Sequence, residues 1–130
     1  MQNKNWYDHP VNMHNANDTT YQNILTKNLP YAIKKTKPGL IIYNAGSDIY
    51  EKDPLGRMNV TKQGIITRDA YVFGLAKENN IPIIMTLSGG YTSESAEIIE
   101  ESIENIIKKM AEPNNEPPKS FFASIYNSFF

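Results

Sequence analysis

Two short, uninterrupted apolar runs, Leu40-Ile41-Ile42-Tyr43 and Ile81-Pro82-Ile83-Ile84-Met85-Thr86-Leu87, constrain this chain more than any other feature. A run without polar alternation is the pattern of a strand covered on both faces, as in a buried parallel sheet, and proline is tolerated near the start of the second. Helix-period segments flank and separate the two runs. Asn17 or Asp18 can cap a first helix carrying Tyr21, Ile24, Leu25, Leu29 and Ile33, which Pro30 should kink or restart and Pro38-Gly39 should end. Thr61 can cap a second helix running to about Asn79, with Ile65, Ile66, Val72, Phe73 and Ala76 on its buried side. A third, from about Ser93 to Met110, sets Ile99, Ile103, Ile106 and Met110 along one face. Its glutamates come early and its lysines late, the order that suits the helix dipole. Helices alternating with strands predict an α/β layer structure with parallel strands and right-handed crossovers. A short strand at Val11 to Met13 is a third candidate, and even three strands leave such a sheet in need of neighbours.

The chain has 130 residues, of which 40% are hydrophobic and 21% charged, enough for one packed domain and too few for two. A net charge of -1 gives no broad positive field for phosphate backbones, so nucleic acid is not expected as a direct ligand. No apolar run reaches bilayer-spanning length, and no membrane partner is expected. The absence of cysteine removes disulfides and thiol nucleophiles, and points to a reducing compartment, the cytoplasm, or the nucleus in a eukaryote. Met1 to Pro10 is an unassigned polar stretch that lacks signal-peptide character. After Met110 the composition changes to a Pro-rich linker, Glu112 to Pro118, expected to be disordered, and an aromatic tail, Phe121 to Phe130, expected to dock loosely.

In parallel α/β sheets ligands bind outside the carboxyl ends of the strands, where both informative loops begin. The first run leads into Asn44-Ala45-Gly46-Ser47-Asp48 and then Asp53-Pro54-Leu55-Gly56; the second leads into Ser88-Gly89-Gly90-Tyr91. Asp48 could serve as a hard oxygen ligand, a general base or a turn former. Ser88-Gly89-Gly90 could cradle an anion or only turn the chain. Tyr91 could donate a phenolic proton or simply pack. His9 and His14, in a polar stretch, read as solvated.

Taken in order, Leu40 to Asp48, Asp53 to Gly56, Gly64-Ile65-Ile66-Thr67-Arg68-Asp69 and Leu87 to Tyr91 resemble the C-terminal portion of histone deacetylases, over about residues 11–110. The likeness is nearest in flavour to class IV and bacterial members. It implies a partial three-layer, arginase-like α/β fold and a zinc hydrolase that removes acyl groups from the ε-nitrogen of lysine in proteins, or from a small acetylated amine. By the same resemblance, Asp48 matches one of two aspartate zinc ligands and Tyr91 the tyrosine that stabilises the tetrahedral oxyanion. Leu55 matches a residue lining the acyl-lysine tunnel, and Gly89 and Gly90 match backbone at the site floor.

The family's Asp-x-His ligand pair and tandem histidines lie upstream of the matching region, and neither pattern occurs in this chain. Lys52 and Arg57 stand where glycines are usual. The expectation is therefore a C-terminal segment of a deacetylase, inactive alone and partnered by the upstream half of the domain. The competing expectation is a noncatalytic α/β module that binds phosphate or nucleotide, or another protein.

Overall fold

The computed structural model describes residues 10–112, and the elements run α1 (Asp18–Thr36), β1 (Ile41–Asn44), α2 (Lys62–Glu78), β2 (Ile83–Thr86) and α3 (Ser95–Ala111). The linker beyond Glu112 and the aromatic tail lie outside the described residues, as does His9. No helix among the described residues is long and apolar enough to cross a membrane.

Capping residues fix where the helices start. The Asn17 side chain accepts from the Thr20 N–H, and the Thr61 hydroxyl accepts from the Gly64 N–H. Asp18 joins the two starts: its carboxylate accepts from the Thr61 N–H at 2.7 Å and the Thr61 hydroxyl at 2.6 Å. The helix does not restart at Pro30, and α1 runs through it to end at Lys37, whose φ of 48° is left-handed. The expected strand at Val11 to Met13 is also absent. The Met13 carbonyl instead accepts from Ala16 N–H in a turn, and the chain then meets a neighbouring segment where Asn15 N–H donates to the Arg57 carbonyl and at the Asn17–Asn59 bridge.

The strands pair in parallel with Ile41 opposite Ile83 and Asn44 opposite Thr86. One face of this sheet, carrying Ile41, Tyr43, Ile83 and Met85, is partly buried towards the helices. Ile41, Leu25, Leu29 and Ile81 pack against the buried cluster of Ile33, Tyr71 and Leu75, and the Tyr43 ring meets Phe73 edge to face. Coverage on both faces, expected from the apolar runs, is not what this chain supplies: Ile42 is 69% exposed and Ile84 51%. The described residues thus form one parallel sheet with one helical layer, and the place of a second layer is open.

Helix α2 is the centre of the packing, against α1 on one side and α3 on the other. Burial extends around most of its circumference and takes in Thr67, Arg68 and Asp69, beyond the single apolar side that the spacing suggests. The seam of α3 also differs from expectation. Ile98, Ser102 and Ile106 are its buried residues, while Ile103 is exposed. A four-residue step keeps one side of a helix facing inwards, and the serine at its middle is what hides that seam from a count of apolar residues. Ser102 is buried because its hydroxyl donates to Asp69 at 2.6 Å.

Asp69 also accepts from Arg68 Nε at 2.8 Å and, through a short hydrogen bond, from the Tyr43 hydroxyl. Burial pushes the Tyr43 phenol far above its ordinary range, with Arg68 opposing and Asp69 reinforcing, so Tyr43 is a neutral donor. Removing Asp69 would leave a buried guanidinium and two buried hydroxyls without their acceptor. Asp69→Ala should therefore lower the unfolding free energy by about 3–5 kcal/mol in urea titrations; a loss below about 1 kcal/mol would deny the cluster its central role.

Candidate functional site

Both loops that leave the carboxyl ends of the strands are stitched together by backbone. Ala45 N–H donates to the Thr86 carbonyl at 2.9 Å and Ser47 N–H to the Gly89 carbonyl at 2.6 Å, so pairing continues past the ends of β1 and β2. From beneath, Arg68 donates to the Gly46 carbonyl at 2.7 Å and the Ala45 carbonyl at 3.3 Å. Gly46, Ser47 and Asp48 therefore leave the strand in one orientation, and Ser47 is buried. The segment between β1 and α2 has a buried interior: Ile49 and Tyr50 join Val60, Ile65 and Ile98 in a second apolar cluster.

Asp48 lies beside the glycine turn. A Cβ on Gly89 would fall 2.2 Å from Asp48 Oδ2, so the absence of a side chain there is what lets the carboxylate approach. That carboxylate has no hydrogen-bond or ion-pair partner among the described residues. Gly90 follows with a φ of +156°, and Ser47 Oγ lies 2.1 Å from where its Cβ would stand. The anion-cradle reading of this turn meets a physical obstacle, because a carboxylate already sits against Gly89 where an anion would be repelled. The helix that follows starts only at Ser95 and has no side-chain cap.

Tyr91 and Leu55 project from the rim, 58% and 68% exposed. The structure thus brings Asp48 against Gly89 and Ser47 against Gly90, and sets Tyr91 and Leu55 on the same pair of loops. What joins those two residues is Asp53. Its Oδ1 accepts from Leu55 N–H and Gly56 N–H, each at 2.9 Å, and its Oδ2 accepts from Tyr91 N–H across the loops at 2.8 Å. Burial pushes the Asp53 carboxyl up, but the donors Tyr91, Leu55 and Gly56 outweigh it and hold it below the usual carboxylate range. Further out, Lys52 pairs with Glu94 at 3.1 Å across the same two loops, an exposed ion pair. Sequence reasoning singled out neither Asp53 nor Arg68 as a site residue. The signal available for Asp53 was its position before proline, where aspartate commonly accepts from the backbone two residues on.

No group of three or more His, Cys, Asp or Glu side chains that could hold a metal ion occurs among the described residues, and His14 is exposed in a turn. Asp48 supplies one hard oxygen donor. These residues by themselves do not make a zinc site, which needs three protein donors for catalysis.

A glycine turn and a carboxylate without a partner among the described residues stand at the carboxyl ends of two parallel strands, the ligand edge of an α/β sheet, here of the arginase/deacetylase fold. The backbone matches a crystal structure of acetylpolyamine aminohydrolase from Burkholderia pseudomallei with a TM-score of 0.61 at 21% identity, covering 72% of this chain and 26% of that one. Residues 2–110 match the histone deacetylase domain, and the chain belongs to that family. It is 45% identical over 89 residues to Histone deacetylase 2 of Arabidopsis thaliana, covering 68% of this chain and 23% of that protein. It is also 28% identical over 82 residues to an uncharacterized protein of Picosynechococcus sp., covering 63% of this chain and 27% of the relative. The chain spans about a quarter of the length of these relatives.

Gly90 offers a direct test of the turn. Gly90→Ala should cost about 1–3 kcal/mol of unfolding free energy, from the positive φ together with the collision at Ser47. Gly39→Ala, where a Cβ meets nothing within 4 Å, is the control and should stay within about 0.5 kcal/mol of the parent. Equal effects at the two positions in urea titrations would remove the claim that this turn requires glycine.

Proposed function

We propose that this chain carries the C-terminal part of a zinc-dependent deacetylase site that removes acyl groups from the ε-nitrogen of lysine in a protein, or from a small acetylated amine. The observation that carries the reading is the unpaired Asp48 carboxylate held against Gly89, two residues before Tyr91, at the carboxyl ends of paired parallel strands. Family membership supports it, as does the order of the motifs along the chain.

In this reading Asp48 is one zinc donor, and residues outside this chain, an Asp-x-His pair and tandem histidines, complete the ligand set and the proton transfers. No metal-dependent step follows from the residues present, and the chain alone is inactive. Tyr91 donates its phenolic proton in a hydrogen bond to the oxygen that gains charge as the amide carbonyl is attacked, an interaction stronger in the transition state than in the ground state. Leu55 offers an apolar wall to the acyl-lysine stem. Gly89 and Gly90 keep the floor free of side chains, so that substrate and Asp48 both approach backbone.

The exposed face of the sheet, with Ile42 and Ile84, is the surface on which the upstream part of the domain packs in this proposal. Burying such a side chain contributes about 2 kcal/mol, so a few of them favour assembly strongly. In this proposal residues 11–110 are the chain's share of that domain and residues 111–130 an extension outside it, while the family match reaches back to residue 2.

A chimera in which this chain replaces the matching segment of the Arabidopsis relative tests the reading. It should deacetylate an acetyl-lysine peptide, and Tyr91→Phe should lower kcat by about a hundredfold or more with little change in KM. In the same chimera Asp48→Asn, which keeps the shape and loses the charge, should weaken zinc retention by more than about tenfold in metal analysis after dialysis against a chelator. Near-normal turnover by the phenylalanine variant would remove Tyr91 from the reaction. Unchanged zinc retention would leave Asp48 a turn former, and zinc-dependent deacetylation by the 130-residue chain alone would overturn the assignment of partial competence.

A further inference from the structure

We infer that Asp53 is a positioning residue: its carboxylate hangs Tyr91 and Leu55 from one anchor and so sets the phenol and the apolar wall relative to each other. The inference rests on the proposed function for what Tyr91 does, while the anchor itself stands on geometry alone.

Three features single out Asp53. It is buried in a loop where most neighbours are exposed, and its two oxygens divide the work. Oδ1 closes a local turn through Leu55 and Gly56, and Oδ2 reaches across to Tyr91 N–H at 2.8 Å. A carboxylate is suited to this, since both oxygens accept and neither donates, whereas an amide in the same place could satisfy only one side. Hydrogen bonds to an ionised acceptor are also about twice as strong as neutral ones.

The second feature is what else restrains Tyr91. Its side chain is 58% exposed and gains little from packing. The residue before it is Gly90, whose backbone freedom leaves Tyr91 poorly fixed from that direction. Ser47 fixes Gly89, and between Gly89 and Ser95 the opposite loop is tied at the Tyr91 backbone by Asp53 and, three residues further on, by the exposed Lys52–Glu94 pair. The third feature is reach. Leu55 is two residues from Asp53 in sequence and Tyr91 thirty-eight, so the carboxylate couples a local turn to a distant loop. Misplacing a donor by about 1 Å can cost about a hundredfold in rate even when the donor itself is intact.

The test has two arms. In the 130-residue chain, Asp53→Asn should accelerate exchange of the Tyr91 amide by about tenfold or more while the Ile65 and Ile98 amides in the core keep their protection. Asp53→Ser keeps one acceptor for the local turn but cannot reach Tyr91, so it should release the Tyr91 amide and leave that of Leu55 protected. Unchanged exchange at Tyr91 in both variants overturns the anchor. In the chimera, Asp53→Asn should lower kcat by about tenfold or more with KM little changed, and its effect should largely vanish when Tyr91→Phe is already present. Full additivity of the two substitutions overturns the positioning role. If Tyr91→Phe leaves kcat unaltered, the proposed role of Tyr91 fails and positioning for catalysis fails with it, whereas the amide exchange of Tyr91 still decides whether Asp53 ties the loops.

Discussion

The buried Arg68–Asp69 pair is the interaction on which the rest of this structure depends. Arg68 is 3% exposed and Asp69 1%, and two charges so far from water are tolerated only when their remaining donors and acceptors are satisfied. Here they are. Asp69 collects Tyr43 from β1, Ser102 from α3 and Arg68 from its own helix, while the guanidinium turns outwards to the carbonyls of Ala45 and Gly46. One adjacent pair on α2 therefore fixes α3, β1 and the point at which the chain leaves the sheet. An apolar pair could fill the same volume, but it could not specify the direction of two carbonyl groups.

The mouth of the site is organised from both sides by opposite charges acting on opposite backbone groups. From beneath, a cation holds carbonyls, at Ala45 and Gly46. From the rim, an anion holds N–H groups, at Leu55, Gly56 and Tyr91. Between these two fixed levels lies Asp48, whose own carboxylate is unengaged among the described residues. That contrast separates three aspartates of one chain by role. Asp69 and Asp53 are consumed by structure, and Asp48 is left with oxygen lone pairs to offer.

Much of this was legible in the sequence because local chemistry dictated it. Asn17 and Thr61 were readable as caps, and the apolar runs located both strands to within two or three residues of their ends. The loops after them held the residues that the fold brings together. What escaped reading was long-range. Burial of Thr67, Arg68 and Asp69 cannot be seen in a helix whose polar residues look solvent-facing until their partners on other elements are known. The same holds for Ser102, which hides the true seam of α3, and for Asp53, whose third hydrogen bond goes to a residue thirty-eight positions away. Pro30 failed to break α1 because tertiary packing of Leu25, Leu29 and Ile33 holds the helix on both sides of it.

The apolar runs also carry information that the described residues do not use. An antiparallel sheet with one wet face would alternate polar and apolar residues, yet Ile42 and Ile84 are isoleucines on the open side. Such side chains suit a second layer, and among the described residues each of the paired strands has an open edge where a further strand can add. Any strand joining this sheet in parallel brings its own carboxyl end alongside those of β1 and β2, which is where Asp48 and the glycine turn wait for partners. In the proposed reading, strands added at the sheet edges would deliver side chains to the edge where Asp48 stands, while elements packed on the open face would cover Ile42 and Ile84.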